Sequence, residues 1–125
     1  MIFMKRTAAG KNGVVSSAHP LATRAGLTVL KKGGNAVDAA IATALTLGVV
    51  APVWSGLGGG GFGLVHLSRS DKTVAVDYRE TAPKNSSPRM FKLNAAGEVE
   101  NHSNAIGPLA IAVPGAASGI VTMLE

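Results

Sequence analysis

The segment "VWSGLGGGGFGLVHL", residues 53–67, places six glycines in eight positions and then runs straight into an apolar strand pattern. Glycine costs roughly 0.5–1 kcal/mol against alanine inside a regular element. A chain that uses it this densely follows a path, or makes an approach, that a side chain would block. Three structures fit: a phosphate cradle, a flexible hinge, or a floor beneath a site built elsewhere. Gly56, Gly58 and Gly61 satisfy G-x-G-x-x-G formally, but a run this rich meets almost any such spacing. The dinucleotide motif needs a strand before it and a helix after it, so that the pyrophosphate meets a helix N-terminus. Here the order is reversed, and no Gly-Lys-Ser/Thr follows, so a P-loop fails as well. What remains is a tight turn from a helix into a crowded sheet, or a close backbone approach to another part of a site.

The surroundings of that turn follow from patterning. "GVVSSAHP" predicts a short strand over Val14–Ser17. His19-Pro20 then opens a helix from Pro20 to about Lys32, since proline suits the first helical turn. Lys31 and Lys32 sit in its last turn, where the helix dipole favours cations, and Gly33-Gly34 stops it. Asn35 caps a second helix, with Asp38 three residues on to reach back. That helix runs to about Val50 and has almost no polar face, which predicts burial all round. Phe62–Leu67 and Thr73–Tyr78 read as two strands joined by the polar turn "SRSDK". Residues 80–103 are loop-rich, with a helical turn expected around Arg89–Leu93. "LAIAVPGAASGI" predicts a strand, a Pro-Gly turn and a helix beginning near Ala116. The sequence reads as the opening part of a larger fold, with residues 1–12 a flexible N-terminus and 13–125 a single unit.

Composition narrows the function. At 125 residues the chain is one domain at most, and 46% of it is hydrophobic. Charged residues make up 15%, against the usual quarter, so either much of the chain is interior or part of its surface expects a partner. The net charge is +5, but the basic residues are scattered, with only Lys5, Arg6 and Lys11 grouped, and aromatics are 4%. A nucleic-acid surface needs a basic stripe, often with stacking aromatics, so no nucleic-acid partner is expected. There is no cysteine, which excludes disulfides and thiolate chemistry. "MIFMKRTAAGKNG" contains no apolar stretch of signal-peptide length, so the chain as written is expected in the cytoplasm. The apolar run 36–53 holds Asp38, Thr43 and Thr46, and reads as a core helix rather than a membrane span.

Candidate chemistry is sparse. His19, His66 and His102 have no spacing that brings two onto one face, so no metal site is expected; no cofactor is expected either. No G-x-S-x-G elbow occurs. "AVDYRETAP" is more informative: a strand of small apolar residues ends in Asp77, Tyr78, Arg79 and Glu80. Arg79 has a planar fork suited to gripping a carboxylate at two points. A local Arg–Glu or Arg–Asp pair capping the sheet is an equal reading from local chemistry alone.

"SSAHPLATRAGLTVLKKGGNAVDAAIATALTLGVVAP", "SGLGGGGFGLVHL", "VDYRETAP" and "AVPGAASGI", in that order and spacing, resemble the gamma-glutamyltranspeptidase (glutathione hydrolase) family from Gly13 to Leu124. The resemblance implies an N-terminal-nucleophile hydrolase, an α+β fold with a four-layer α-β-β-α sandwich, of which this chain is the N-terminal part. It also implies a precursor that cuts itself into a large and a small subunit, both then partners of this segment. The new N-terminal threonine of the small subunit would attack the gamma-glutamyl amide of glutathione or a related compound. Arg79 matches the family arginine that holds the α-carboxylate of the gamma-glutamyl group, with Glu80 and Asp77 expected to support it. No catalytic residue is assigned within the chain, and the isolated chain is expected to be inactive. A related amidase or acylase with another acyl donor, or a non-catalytic truncated chain, are the alternatives.

Overall fold

The computed structural model describes residues 7–125. Its elements are α1 (Pro20–Lys31), α2 (Ala36–Val50), β1 (Phe62–Leu67), β2 (Lys72–Asp77) and α3 (Ala116–Leu124), with short 3-10 turns at Glu100–His102 and Pro108–Ala110. Among the described residues these make an α+β arrangement of three helices and one two-stranded sheet.

The α1–α2 hairpin is written into its ends. Pro20 occupies the first turn of α1, and the His19 Nδ1 accepts from the Leu21 amide at 3.2 Å. Gly33 takes the left-handed conformation, φ 91°, that ends the helix. At the start of α2, Asn35 Oδ1 accepts from the amides of Val37 (2.7 Å) and Asp38 (3.0 Å), while Asp38 Oδ2 accepts from the Asn35 amide at 2.9 Å. This reciprocal pair satisfies amides that the first turn leaves without helical partners. The helices pack through small residues. Ala22, Ala39 and Ile41 are buried, and Thr43 is buried with its hydroxyl donated to the Ala39 carbonyl at 2.7 Å. A Cβ on Gly26 would strike Thr43 Oγ1 and come within 3.0 Å of the Ala39 oxygen, so glycine sets how closely the two helices approach.

The β1–β2 hairpin is antiparallel, with Phe62 opposite Asp77, Leu64 opposite Ala75 and Val65 opposite Val74. Gly63 faces α3 and touches Met123, whose sulfur lies 2.6 Å from where a Cβ would stand. Phe62 and Leu64 point to the other face and are 69% and 78% exposed. That second face carries Phe62 and Leu64 beside His66, Thr73 and Asp77, and the described residues cover only the first.

Several expectations are corrected. Val14–Ser17 forms no strand, because no neighbouring strand pairs with it among the described residues. α2 is not buried all round: its α1 face is covered, but Val49 is 79% exposed because the opposite face looks into an open concavity. No helical turn forms at 89–93. Instead Asn94 Oδ1 accepts from the amides of Ala96 and Glu98, both at 2.9 Å, and the resulting turn bridges Leu93 to Val99. The strand expected at residues 109–113 shrinks to one bridge, Val113 to Thr81, since Pro108 starts a 3-10 turn just before it. Of the expected N-terminal segment 1–12, residues 1–6 lie outside the described residues, Lys5 and Arg6 among them, and 7–12 carry no helix or strand. Among the described residues no helix is long and apolar enough to cross a membrane.

Candidate functional site

The glycine run, the end of β2 and the start of α3 meet at one point. β2 ends at Asp77, but pairing persists one step further: the Tyr78 amide donates to the Gly61 carbonyl at 3.0 Å, and the Gly61 amide to the Tyr78 carbonyl at 3.3 Å. The amides of Gly115 and Ala116, at the N-terminus of α3, both donate to the Gly59 carbonyl, at 3.1 and 3.0 Å. The backbone of residues 78–80 therefore passes between the glycine loop and α3. A Cβ on Gly60 would strike the Tyr78 carbonyl oxygen and lie 2.8 Å from the Glu80 nitrogen. A Cβ on Gly115 would strike the same oxygen from the other side and lie 3.0 Å from the Arg79 oxygen. The loop is a packed floor built on close backbone approach, and its glycines are needed where the strand end crosses it.

This clamp presents Arg79. Because side chains alternate along a strand, Tyr78 turns toward α3 and Arg79 toward the open face that also carries Phe62. The guanidinium carbon lies 5.9 Å from the centroid of the Phe62 ring, at the outer limit of a cation–π contact. Arg79 Nη2 lies 3.2 Å from Glu80 Oε2, and the two side chains are 56% and 25% exposed. The contact is a charge pair without hydrogen-bond alignment: Glu80 Oε2 is buried and makes no hydrogen bond among the described residues. The guanidinium thus keeps donors free for a further acceptor. Asp77 meets Arg79 through the backbone. Its Oδ1 accepts from the Arg79 backbone amide at 3.0 Å, fixing the chain rather than the guanidinium.

Arg79, Glu80 and the glycine loop line one side of a broad concavity of about 1850 Å³ whose far side is α2 and the 52–57 loop, including Val49 and Trp54. Pockets that enclose a small molecule are typically about 300–1,000 Å³. This one is too wide to enclose a small ligand with these walls alone. A shallower concavity of about 600 Å³ lies along α1, away from Arg79. Among the described residues no group of three histidine or acidic side chains could hold a metal ion.

Sequence reasoning singled out Arg79, Glu80 and Asp77, and the structure brings all three together. It missed Tyr78, Phe62, Gly115 and Gly119. The available signal was the four-residue spacing of Gly115 and Gly119, which lines one helix face with no side chain.

The Gamma-glutamyltranspeptidase family model matches residues 22–125. The chain belongs to this family. It is 43% identical over 122 residues to the glutathione hydrolase proenzyme of Bacillus subtilis (strain 168), covering 97% of this chain and 21% of that protein. It is 37% identical over 121 residues to the Acylase ACY 1 proenzyme of Pseudomonas sp. (strain SE83), covering 92% of this chain and 21% of the acylase. The crystal structure of Helicobacter pylori gamma-glutamyltranspeptidase superposes with a TM-score of 0.86 at 42% identity, over 95% of this chain and 34% of that one. The chain thus spans about a fifth of the length of the curated relatives it matches.

Proposed function

We propose that this chain forms the donor-binding wall of a glutathione hydrolase or gamma-glutamyltransferase, within a four-layer α-β-β-α sandwich of the N-terminal-nucleophile type. The observation that carries the reading is the Arg79 guanidinium. It is held by Glu80 from beside and by the Phe62 ring from below, yet keeps donors free on an open face. A planar fork so placed suits a free carboxylate. The sheet supports the architecture: Phe62 and Leu64 are large apolar side chains on one face, without a covering layer among residues 7–125.

In this mechanism Arg79 binds the α-carboxylate of the gamma-glutamyl group and so fixes the distance from that carboxylate to the scissile γ-carbonyl. A threonine at the N-terminus of the small subunit attacks that carbonyl through its hydroxyl. Its own α-amine takes the proton and returns it to the leaving amine. The resulting ester is then opened by water, giving glutamate, or by an amino acid, giving a new gamma-glutamyl amide. No threonine of residues 1–125 is given the nucleophile's role. The partners of this segment are the rest of the large subunit and the small subunit.

A second reading is favoured by the acylase relative: the same wall serving an acyl donor of another kind. Both are tested by Arg79→Lys in the complete protein, assayed on a gamma-glutamyl anilide and on its decarboxylated analogue. The proposal expects a loss confined to the donor that carries the α-carboxylate. Equal losses on both donors would overturn it in favour of a structural arginine or a different acyl group.

A further inference from the structure

We infer that Tyr78 is the positioning residue for Arg79, a flat ring locked in a slot between two glycines that sets the direction in which the guanidinium leaves the sheet. The inference rests on the proposed role of Arg79 in donor binding. One wall of the slot is Gly61, where a Cβ would lie 2.9 Å from Tyr78 Cε2 and 3.1 Å from the hydroxyl oxygen. The other is Gly119 on α3, where a Cβ would strike Cγ and stand 2.6 Å from both Cβ and Cδ1 of Tyr78. Neither wall tolerates a side chain while the ring is present. The hydroxyl reaches the Phe62 carbonyl in a long contact of 3.4 Å, so shape rather than that bond holds the ring.

The consequence for Arg79 is geometric. Tyr78 is pinned at its ring by Gly61 and Gly119, at its amide and carbonyl by Gly61, and at its carbonyl by the close approach of Gly60 and Gly115. With residue 78 fixed on all sides, the next Cα–Cβ bond has one direction, toward Phe62 and the open face. Arg79 itself is held only by a half-exposed charge pair and a ring contact. Pairs of that kind are weak, and they act on a side chain whose direction of departure from the sheet Tyr78 has already set.

The test uses the complete protein in four forms: Tyr78→Ala, Tyr78→Phe, Gly119→Ala and the Tyr78→Ala/Gly119→Ala pair. Emptying the slot raises KM for the gamma-glutamyl anilide roughly tenfold, with a smaller change in kcat and none in kcat/KM for the decarboxylated donor. Tyr78→Phe returns the ring and recovers most of that loss. Gly119→Ala displaces the ring and imitates Tyr78→Ala, but the double variant loses less than the sum of the two, because the ring atoms it strikes are gone and only the contact with the residue-78 Cβ remains. Equal losses on both donors, no recovery with phenylalanine, or additive effects in the pair each overturn the inference. Backbone amide exchange gives a readout independent of activity. In Tyr78→Ala it rises at Arg79 and Glu80 while the α1–α2 amides stay unchanged; unchanged exchange at Arg79 overturns the inference too. A wild-type protein inert toward gamma-glutamyl donors refutes the proposed function, and the exchange data still decide the role of Tyr78.

Discussion

Two glycines of the same loop are expected to respond oppositely to alanine. A methyl group on Gly60 meets three backbone atoms: the Tyr78 carbonyl oxygen, the Glu80 nitrogen at 2.8 Å and the Arg79 carbonyl carbon at 2.9 Å. None belongs to a side chain that could rotate aside. Relief requires the loop and residues 78–80 to separate, breaking the Tyr78–Gly61 pairing. Forcing extra volume into a packed site costs about 1–3 kcal/mol. At Gly58 nothing lies within 4 Å and φ is not left-handed, so alanine there meets no obstacle. By restricting the unfolded chain it is expected to stabilise by about 0.4–1 kcal/mol. Limited trypsin digestion reads the difference at the right place, because Arg79 lies inside the clamped segment and supplies the cleavage point. Where opening is fast relative to cutting, cleavage tracks the open population. Gly60→Ala is then expected to accelerate cleavage after Arg79 roughly 5- to 150-fold. Cleavage after Arg69, in the exposed hairpin turn, serves as the internal reference and should not change. Wild-type cleavage after Arg79 in Gly60→Ala, or equal acceleration in Gly58→Ala, would refute the reasoning that backbone approach is what the glycines are for.

Further outcomes are expected. Arg79→Lys in the complete protein lowers kcat/KM for a gamma-glutamyl donor by roughly 10- to 150-fold, the equivalent of about 1.5–3 kcal/mol for a charged hydrogen bond. The self-cleavage that the family resemblance implies for the complete protein, followed on a denaturing gel, is expected to continue in that variant, since the step involves no bound glutamyl group. Asn35→Ala removes two accepted hydrogen bonds at the start of α2 and lowers stability by about 1 kcal/mol, read as a shift in the urea midpoint. The 125-residue chain alone shows no turnover of a gamma-glutamyl anilide above buffer background. It also associates at micromolar concentration in light scattering, because Trp54, Phe62, Leu64 and Val49 present apolar surface together.

What the sequence made legible was local. Pro20, Asn35 with Asp38, and Gly33 act within a few residues of themselves, and the helix ends they predict are the ones observed. The hairpin was legible for the same reason, its second strand beginning one residue earlier than expected, at Lys72. The Val14–Ser17 strand failed because a strand is a statement about a neighbour, and local pattern does not supply one. The 89–93 turn failed because Asn94 offered the backbone a competing set of hydrogen bonds just downstream. Arg79 was visible by its type and by the motif around it. Close backbone approach was one of two readings of the glycines; what the glycines approach was not legible, because Gly60 and Gly115 meet across the Tyr78 carbonyl only after segments distant in sequence have folded together.

That meeting also ties the candidate site to the stability of the sheet. A two-stranded hairpin is at best marginally stable in water by itself. Here β1 and β2 are held against α3 by Gly63 on Met123 and by Tyr78 on Gly119, and α3 is held in turn by two hydrogen bonds to Gly59. The Tyr78 contact adjoins Arg79 directly, and Gly115 beside those hydrogen bonds packs against the Tyr78 and Arg79 backbone. The device that presents the guanidinium is therefore the same one that keeps the hairpin folded on this side. Its other side leaves Phe62 and Leu64 exposed beneath the arginine, without cover among the described residues. Covering that face would bury the Phe62–Arg79 contact, lower the local dielectric and strengthen any ion pair the guanidinium makes. Assembly and donor affinity are thus expected to rise together, because the covering layer that stabilises the sheet also excludes water from its arginine.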